Sequence, residues 1–246
     1  AMLKIKKAVG NMEVTMQVVA RVRSEFGSKF GIPRQSGLVE ALEARIVFEP
    51  SYRDPNALRG IEGFSHLWLI WQFSASVRAG WSPTVKPPRL GGNARMGVFA
   101  TRSPFRPSPV GLSCVRLLRV EQDAQLGPVL VVGGADLMDG TPILDIKPYV
   151  PYADSHPDAS EGFTARNRDY GVLVEFPTPL LRMIPPEHRE ALLGVLAQDP
   201  RPSYQDDPDR RYGLRFAGFD VRFTVRDRVL TVAEVVPPAG GGDAPA

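Results

Sequence analysis

Four segments of the sequence hold residue types and spacings able to do chemistry. In 31–37, GIPRQSG, Pro33 fixes the backbone while Arg34 and Gln35 present planar groups with several donors. In 91–111, GGNARMGVFATRSPFRPSPVG, Arg95, Arg102 and Arg106 fall in a loop–strand–loop stiffened by prolines. Their guanidinium forks suit phosphate oxygens, and Phe105, between two of them, is placed to stack a base. In 134–151, GADLMDGTPILDIKPYVP, Asp136, Asp139 and Asp145 are set around Gly140 and Pro142. A turn of this kind can aim carboxylates at ribose hydroxyls or at a sulfonium cation while its backbone meets an adenine edge. In 196–204, LAQDPRPSY, Asp199, Arg201 and Tyr204 bring a carboxylate, a guanidinium and an aromatic ring close together.

Each segment also has a plainer reading, and the residues alone leave both open. GIPRQSG is equally a surface turn, and the Asp139–Gly140 pair is good turn chemistry. Phe99 and Phe105 can be core residues flanked by solvated arginines. The 196–204 segment can be a helix stop followed by a proline turn. Charge distribution favours function for the second segment. Residues 63–120 contain no Asp or Glu but eight Lys and Arg, including Arg89, Arg95, Arg102 and Arg106. Such a block points to a polyanion such as nucleic acid, or to a solvated face whose acids lie elsewhere in the fold.

Several function classes fall away. His66, His156, His188 and Cys114 are scattered without metal-ligand spacing, so no metal site is expected. A nucleophile elbow, a Walker loop and a G-x-G-x-x-G fingerprint are all missing, which disfavours a Rossmann-type enzyme. No apolar run approaches a spanning helix, and AMLKIKK does not read as a signal peptide. With one cysteine an internal disulfide is impossible, and a reducing, cytoplasmic setting is expected.

The elements that must position these groups read mainly as β. Residues 8–9, 13–23, 42–47, 67–73, 96–101, 112–120 and 129–132 are short apolar runs punctuated by Gly, Pro and Asn. With no long helices between them, they predict an antiparallel sheet or barrel. Residues 82–95 read as a long ordered loop. A second, α+β unit begins near 163, with a helix over 185–198 and a terminal hairpin of 212–219 and 221–232 reversing near Asp220. The predicted division is 2–160, 161–236 and a disordered Pro/Gly/Ala tail, 237–246.

Taken together, PRQSGLV (33–39), RGIEGFSHLWLIWQF (59–73), GWSPTVKPPRLGGNARMGVFATRSPFRPSPVGLS (80–113), DLMDGTPILDIKPYVPYADS (136–155) and LAQDPRPSY (196–204) resemble the TrmO family, also called TsaA-like or YaeB-like. The resemblance implies an N-terminal single-sheeted antiparallel β-barrel that binds S-adenosylmethionine, a smaller C-terminal α+β domain and a homodimer. It implies N6-methylation of N6-threonylcarbamoyladenosine at position 37 of tRNA. Carried over to this chain, the cofactor site comprises Pro33, Arg34, Gln35, Ser74, Ala75, Arg102, Leu112, Asp136, Leu137, Met138, Asp139 and Gly140. The tRNA contacts fall on Arg89, Arg95, Phe105, Arg106, Arg201 and Tyr204. Ser74–Ala75 departs from the family's polar pair, such as His-Gln, and RPSPVG stands for RPNPIG.

The implied reaction is in-line attack of N6 on a methyl carbon, with Asp199 or Asp139 as acceptor of the N6 proton alongside water or a backbone carbonyl. Arg201 and Arg106 are the candidates to pair with the threonylcarbamoyl carboxylate. A non-catalytic RNA-binding barrel is the alternative, and a Mg²⁺-dependent nucleotide hydrolase is a third reading.

Overall fold

A computed structural model describes residues 7–8, 11–12, 14–76, 80–87, 94–167, 170–202 and 207–238. The chain is mainly β with a few short helices. Its strands are β1 (Lys7–Ala8), β2 (Asn11–Met12), β3 (Ala20–Arg23), β4 (Glu43–Phe48), β5 (His66–Gln72), β6 (Thr84–Val85), β7 (Met96–Gly97), β8 (Val110–Asp123), β9 (Gly127–Gly133) and β10 (Pro142–Pro148). They are followed by β11 (Leu173–Glu175), β12 (Tyr212–Phe216), β13 (Phe219–Arg226) and β14 (Val229–Val236). The α-helices are α1 (Pro151–Asp154), α2 (Thr178–Leu181) and α3 (Pro186–Ala197).

Six antiparallel strands form the first unit, in the order β10-β3-β4-β9-β8-β5, and β10 pairs with both β3 and β5 so that the sheet closes on itself. Alternation sets the inward face: Ala44, Ile46 and Phe48 of β4 point in, with Leu67 and Leu69 of β5 and Leu130 and Val132 of β9. The 14-residue β8 serves two neighbours because its register shifts between Leu117 and Arg119, a bulge that bends the strand from β5 onto β9.

The second unit is a sheet ordered β11-β14-β13-β12, with β11 parallel to β14. Helix α3 begins on Pro185 and Pro186, whose fixed φ suits a first turn, and lays Ala191, Leu192, Val195 and Leu196 on that sheet. Phe26, Val39 and Leu42, from the segment joining β3 to β4, are buried in this second core rather than in the first.

Five expectations need correction. The 134–151 segment is not turn throughout, since it holds β10, the strand that closes the ring; its prolines sit at the strand's ends, where a missing N–H costs little. Among the described residues of 13–23 only Ala20–Arg23 is strand, and 96–101 is a two-residue strand followed by a 3₁₀ turn, Val98–Ala100. Within 82–95, Thr84–Val85 pairs with Met96–Gly97. The terminal hairpin is a three-stranded meander. It reverses at 217–218 and again at Asp227 and Arg228, whose φ of 49° and 64° are those of a two-residue hairpin turn. Of the predicted disordered tail, 239–246 lie outside the described residues.

Candidate functional site

Strand direction brings the chemistry to one place. Around an antiparallel ring the connections β3 to β4, β5 to β8 and β9 to β10 all emerge at the same end. These connections carry the described segments at 33–35, 74–76, 94–109 and 134–141. They enclose a cavity of about 870 Å³ at the ring's mouth.

Pro33, Arg34, Gln35, Ser74, Ala75, Arg102, Leu112, Asp136, Leu137 and Met138 all line that cavity. Asp139 and Gly140 do not. The Asp139 carboxylate accepts from the Ser24 N–H at 3.2 Å and faces Arg23 at 3.6 Å, and the Gly140 N–H donates to the Val22 carbonyl. Both are occupied in tying the β9–β10 turn to β3, which corrects their placement on the cavity wall.

Asp199 is likewise absent from the lining. It follows α3 in the left-handed region, φ 53°, and is 6% exposed. Arg201 forks onto it through Nε at 2.8 Å and Nη2 at 3.0 Å, and the Tyr170 hydroxyl donates at 2.7 Å. Burial pushes its carboxyl up, but these donors outweigh burial and hold it below the ordinary carboxylate value. A carboxylate held by such donors is a weaker base than a free one. Arg201 is engaged in the same pair, with its side chain only 10% exposed.

Arg106 lines the cavity and donates to the Thr101 carbonyl at 3.2 Å. Arg95 is exposed at the edge, donating to Thr84 Oγ1 at 3.1 Å. Phe105 is half-buried in the same loop and does not line the cavity. Arg89 and Tyr204 lie outside the described residues.

Sequence reasoning missed the support behind the wall. The Trp71 indole N–H donates to Ser113 Oγ at 3.0 Å, and the Ser113 hydroxyl donates to Asp136 Oδ1 at 2.7 Å. Ser113 is 1% exposed on the inward register of β8, and a polar residue in an inward, otherwise apolar position is the signal that could have found it. Gly111, one inward step away, lets the indole lie against the strand, since a Cβ there would overlap the ring. Lys29 was missed too; it lines the cavity and donates to the Ala75 carbonyl and to Ser76 Oγ, at 2.6 Å for the hydroxyl.

The electrostatics follow from this lining. Four cations, Lys29, Arg34, Arg102 and Arg106, face one carboxylate, Asp136. Arg102 donates to the Gln35 side chain, joining two of the predicted segments across the mouth. Burial raises the Asp136 carboxyl, against the opposing pull of the Ser113 hydroxyl and the Arg102 charge. Trp71, Phe73, Phe99, Leu112 and Met138 supply apolar wall. An apolar slot with a few convergent polar groups fits a nucleoside-like ligand. Among the described residues, no group of three or more His, Cys, Asp or Glu is arranged to hold a metal ion.

The tRNA-methyltransferase O N-terminal domain model matches residues 21–155, and the TrmO C-terminal domain model matches 180–238. The chain belongs to the TrmO family. It is 41% identical to a tRNA (adenine(37)-N6)-methyltransferase of Escherichia coli, over 88% of this chain and 95% of that one. A putative S-adenosylmethionine-dependent methyltransferase, RcsF, of Pseudomonas aeruginosa is 40% identical over 94% of this chain and all of its own length. The crystal structure of TrmO from Pseudomonas aeruginosa superposes with a TM-score of 0.73 at 35% identity, covering 92% of this chain and 99% of that one. Both TrmO domain models thus fall on the two units of the fold, and the cavity lies at the mouth of the first.

Proposed function

We infer that this chain is an S-adenosylmethionine-dependent methyltransferase that methylates N6 of adenine 37 in tRNA. The observation that carries the reading is the single cavity in which the 33–35, 74–76, 102 and 136–138 segments meet. Membership of a family whose relatives bear that activity in their names supports it, and leaves the non-catalytic binder without a feature in its favour.

The donor set fits the cofactor. Asp136 supplies a carboxylate to ribose hydroxyls or the sulfonium, Gln35 and the 74–76 backbone supply polar contacts, and Trp71, Leu112 and Met138 supply apolar cover. When bound, S-adenosylmethionine brings an electrophilic methyl carbon on a good leaving group. The chain's task is therefore alignment and exclusion of water. The target N6 lone pair is delocalised into the adenine ring, so its proton must be accepted as the new bond forms. Asp136 is the one carboxylate among the residues lining the cavity, and burial raises its carboxyl.

The finer reading extends to N6-threonylcarbamoyladenosine in the anticodon loop, converted to its N6-methyl derivative. Four cations around the mouth suit both phosphates and the carboxylate of that modification, with Arg106 flanked by the prolines of its loop. Trp81, Phe99 and Leu112 are exposed large apolar residues, Phe99 at 73%, and in this reading a second copy of the chain covers them in a homodimer. The closed ring is the S-adenosylmethionine-binding β-barrel. The 161–236 unit is the tRNA-contacting domain, and the cytoplasm is the compartment where the substrate resides. Among the described residues no helix is long and apolar enough to cross a membrane.

Incubating the protein with S-adenosylmethionine and tRNA, with and without the threonylcarbamoyl group, and analysing nucleosides by mass spectrometry tests this directly. A methyl gained on adenosine 37 is expected, and in larger yield on the modified tRNA. Saturable cofactor binding without any methylated nucleoside would leave the enzyme reading untenable.

A further inference from the structure

Ser113 is the polar break in the inward face of β8. Its neighbours on that face are Gly111 and Val115, and all three are buried. Across the sheet Ser113 pairs with Leu69 and Gly111 with Trp71, so Trp71 and Ser113 are diagonal neighbours on one face. Gly111 makes that diagonal usable. A Cβ there would overlap the indole, so only bare backbone lets the ring lie across β8 toward the serine. The Ser113 hydroxyl then stands between two groups, the Trp71 N–H at 3.0 Å and Asp136 Oδ1 at 2.7 Å.

The chemistry of these two partners gives the chain of bonds one direction. An indole nitrogen only donates, and an ionised carboxylate only accepts. The hydroxyl must therefore receive the indole proton on a lone pair and turn its own proton to Asp136. A rotor that is free in most serines is locked here as a donor, and bonds aligned in this way polarise one another. Trp71 and Asp136 both line the cavity, whereas Ser113 does not. At 1% exposed it sits behind the wall, where it acts on a ligand only through the groups in front of it.

We propose that Ser113 is a positioning residue for the methyl-donor site: locked as a donor by Trp71, it aims the Asp136 carboxylate at the cofactor from behind the cavity wall. The proposal rests on reading the cavity as the S-adenosylmethionine site. It gives a serine that lines no part of the cavity a share in the affinity, and it gives the close approach of Trp71 to Gly111 a purpose. The same bond favours the ionised form of Asp136 and so opposes the effect of burial. A group that acts through one partner leaves a specific energetic signature, because its loss has no further effect once that partner is gone.

Threonine and valine share one shape, and only threonine keeps the hydroxyl. Any strain from the larger side chain is common to both, so their difference reads the donor. Calorimetric titration of S-adenosylmethionine into wild type, Ser113→Thr and Ser113→Val, and into the latter two beside Asp136→Ala, tests the proposal. Ser113→Val should bind about tenfold more weakly than Ser113→Thr. Beside Asp136→Ala the two should agree within about twofold. Equal affinities without the Asp136 change overturn the proposal, as does a gap that persists beside Asp136→Ala, since that marks a general effect of the hydroxyl. Should Asp136→Ala bind too weakly to titrate, Trp71→Phe closes a second cycle. It keeps an aromatic ring and drops the N–H, so about a threefold loss is expected in Ser113→Thr and none in Ser113→Val. Equal losses in both overturn the relay. If neither variant at 113 folds, Ser113→Ala and wild type carry the same two cycles with the same expected gaps. Absence of binding by wild type would instead overturn the functional reading on which the proposal stands.

Discussion

The molecule holds two shielded carboxylates of contrasting character, Asp136 at the mouth of the ring and Asp199 at the end of α3. Desolvation pushes both carboxyls up, yet their net shifts run in opposite directions. The difference lies in their company. Asp136 receives a neutral hydroxyl from Ser113, and Arg102, whose charge also acts on it, is engaged with Gln35. Asp199 receives a full guanidinium fork and a phenol. A charge-assisted fork is about twice as strong as a neutral hydrogen bond, enough to reverse the burial effect. The first carboxylate stays available to a ligand or a proton, and the second becomes an anchor.

Breaking the anchor gives the largest effect. Asp199→Ala leaves Arg201 shielded and without its counter-charge, and unfolding in urea should show a loss of about 3–5 kcal/mol. A loss below about 1 kcal/mol would mean that the pair behaves like an exposed surface bridge. The pH dependence has a defined sign. Because the folded pKa of Asp199 lies below the ordinary 3.8, its contribution is present above that value and is lost as pH falls through the lower folded one. Next in size comes Gly111→Ala at the other region. The added methyl overlaps the Trp71 indole, and displacing it should cost about 1–3 kcal/mol and uncouple Trp71 from Ser113. Unchanged tryptophan fluorescence and stability in this variant would show that the ring mouth absorbs the change.

Much of this was legible in the chain, and the exceptions share a cause. The strands at 67–73 and 129–132 stand out as apolar runs bounded by turn residues, and 185–198 has prolines at its start and leucines at helical spacing. The motifs at 33–35, 102 and 136–138 are ones that meet in the cavity. Strand β10 was hidden because prolines bound it and aspartate interrupts it. The meander's second reversal was hidden because Asp227 and Arg228 are not a recognisable turn pair. Ser113 was hidden as a lone serine in an apolar run, and the role of Asp199 depended on Tyr170, 29 residues away. The joining segment was the least readable. Phe26, Phe30, Ile32, Val39 and Leu42 follow neither the period of a strand nor that of a helix, since their spacing is set by the surface of a second core. Local pattern reports on local geometry, and these features are tertiary.

Asp136→Asn is expected to separate the regions by the sign of its effect. The folded pKa of Asp136 is raised, so its contribution to stability is present below 3.8 and is lost as pH rises through the higher folded value. Removing the ionisable group should leave the variant within about 1 kcal/mol of wild type at neutral pH, and relatively more stable there than in acid. Cofactor affinity should nevertheless fall by about tenfold or more, since a charge-assisted contact is lost. Urea midpoints across pH, with calorimetry, read both quantities. A variant destabilised only at neutral pH would place Asp136 with the anchors.

The smallest expected effect sharpens the comparison most. Tyr170→Phe and Ser113→Ala each remove one hydroxyl donor from one of the carboxylates, and each should cost about 1 kcal/mol. Phenylalanine keeps the ring face on which Arg228 lies at 5.2 Å, so the first change isolates the hydrogen bond. Both deletions must raise the pKa of the carboxyl they leave behind, because each donor favours the ionised form. Their starting points differ, however. Asp199 keeps the Arg201 fork and should remain below the ordinary carboxylate value, whereas Asp136, already above it, should move further away. Carboxyl carbon titration by NMR would follow the two groups in one sample. If Asp199 rose past the ordinary value on losing a single phenol, the guanidinium fork would not be what holds it ionised, and burial alone would then rank the two sites.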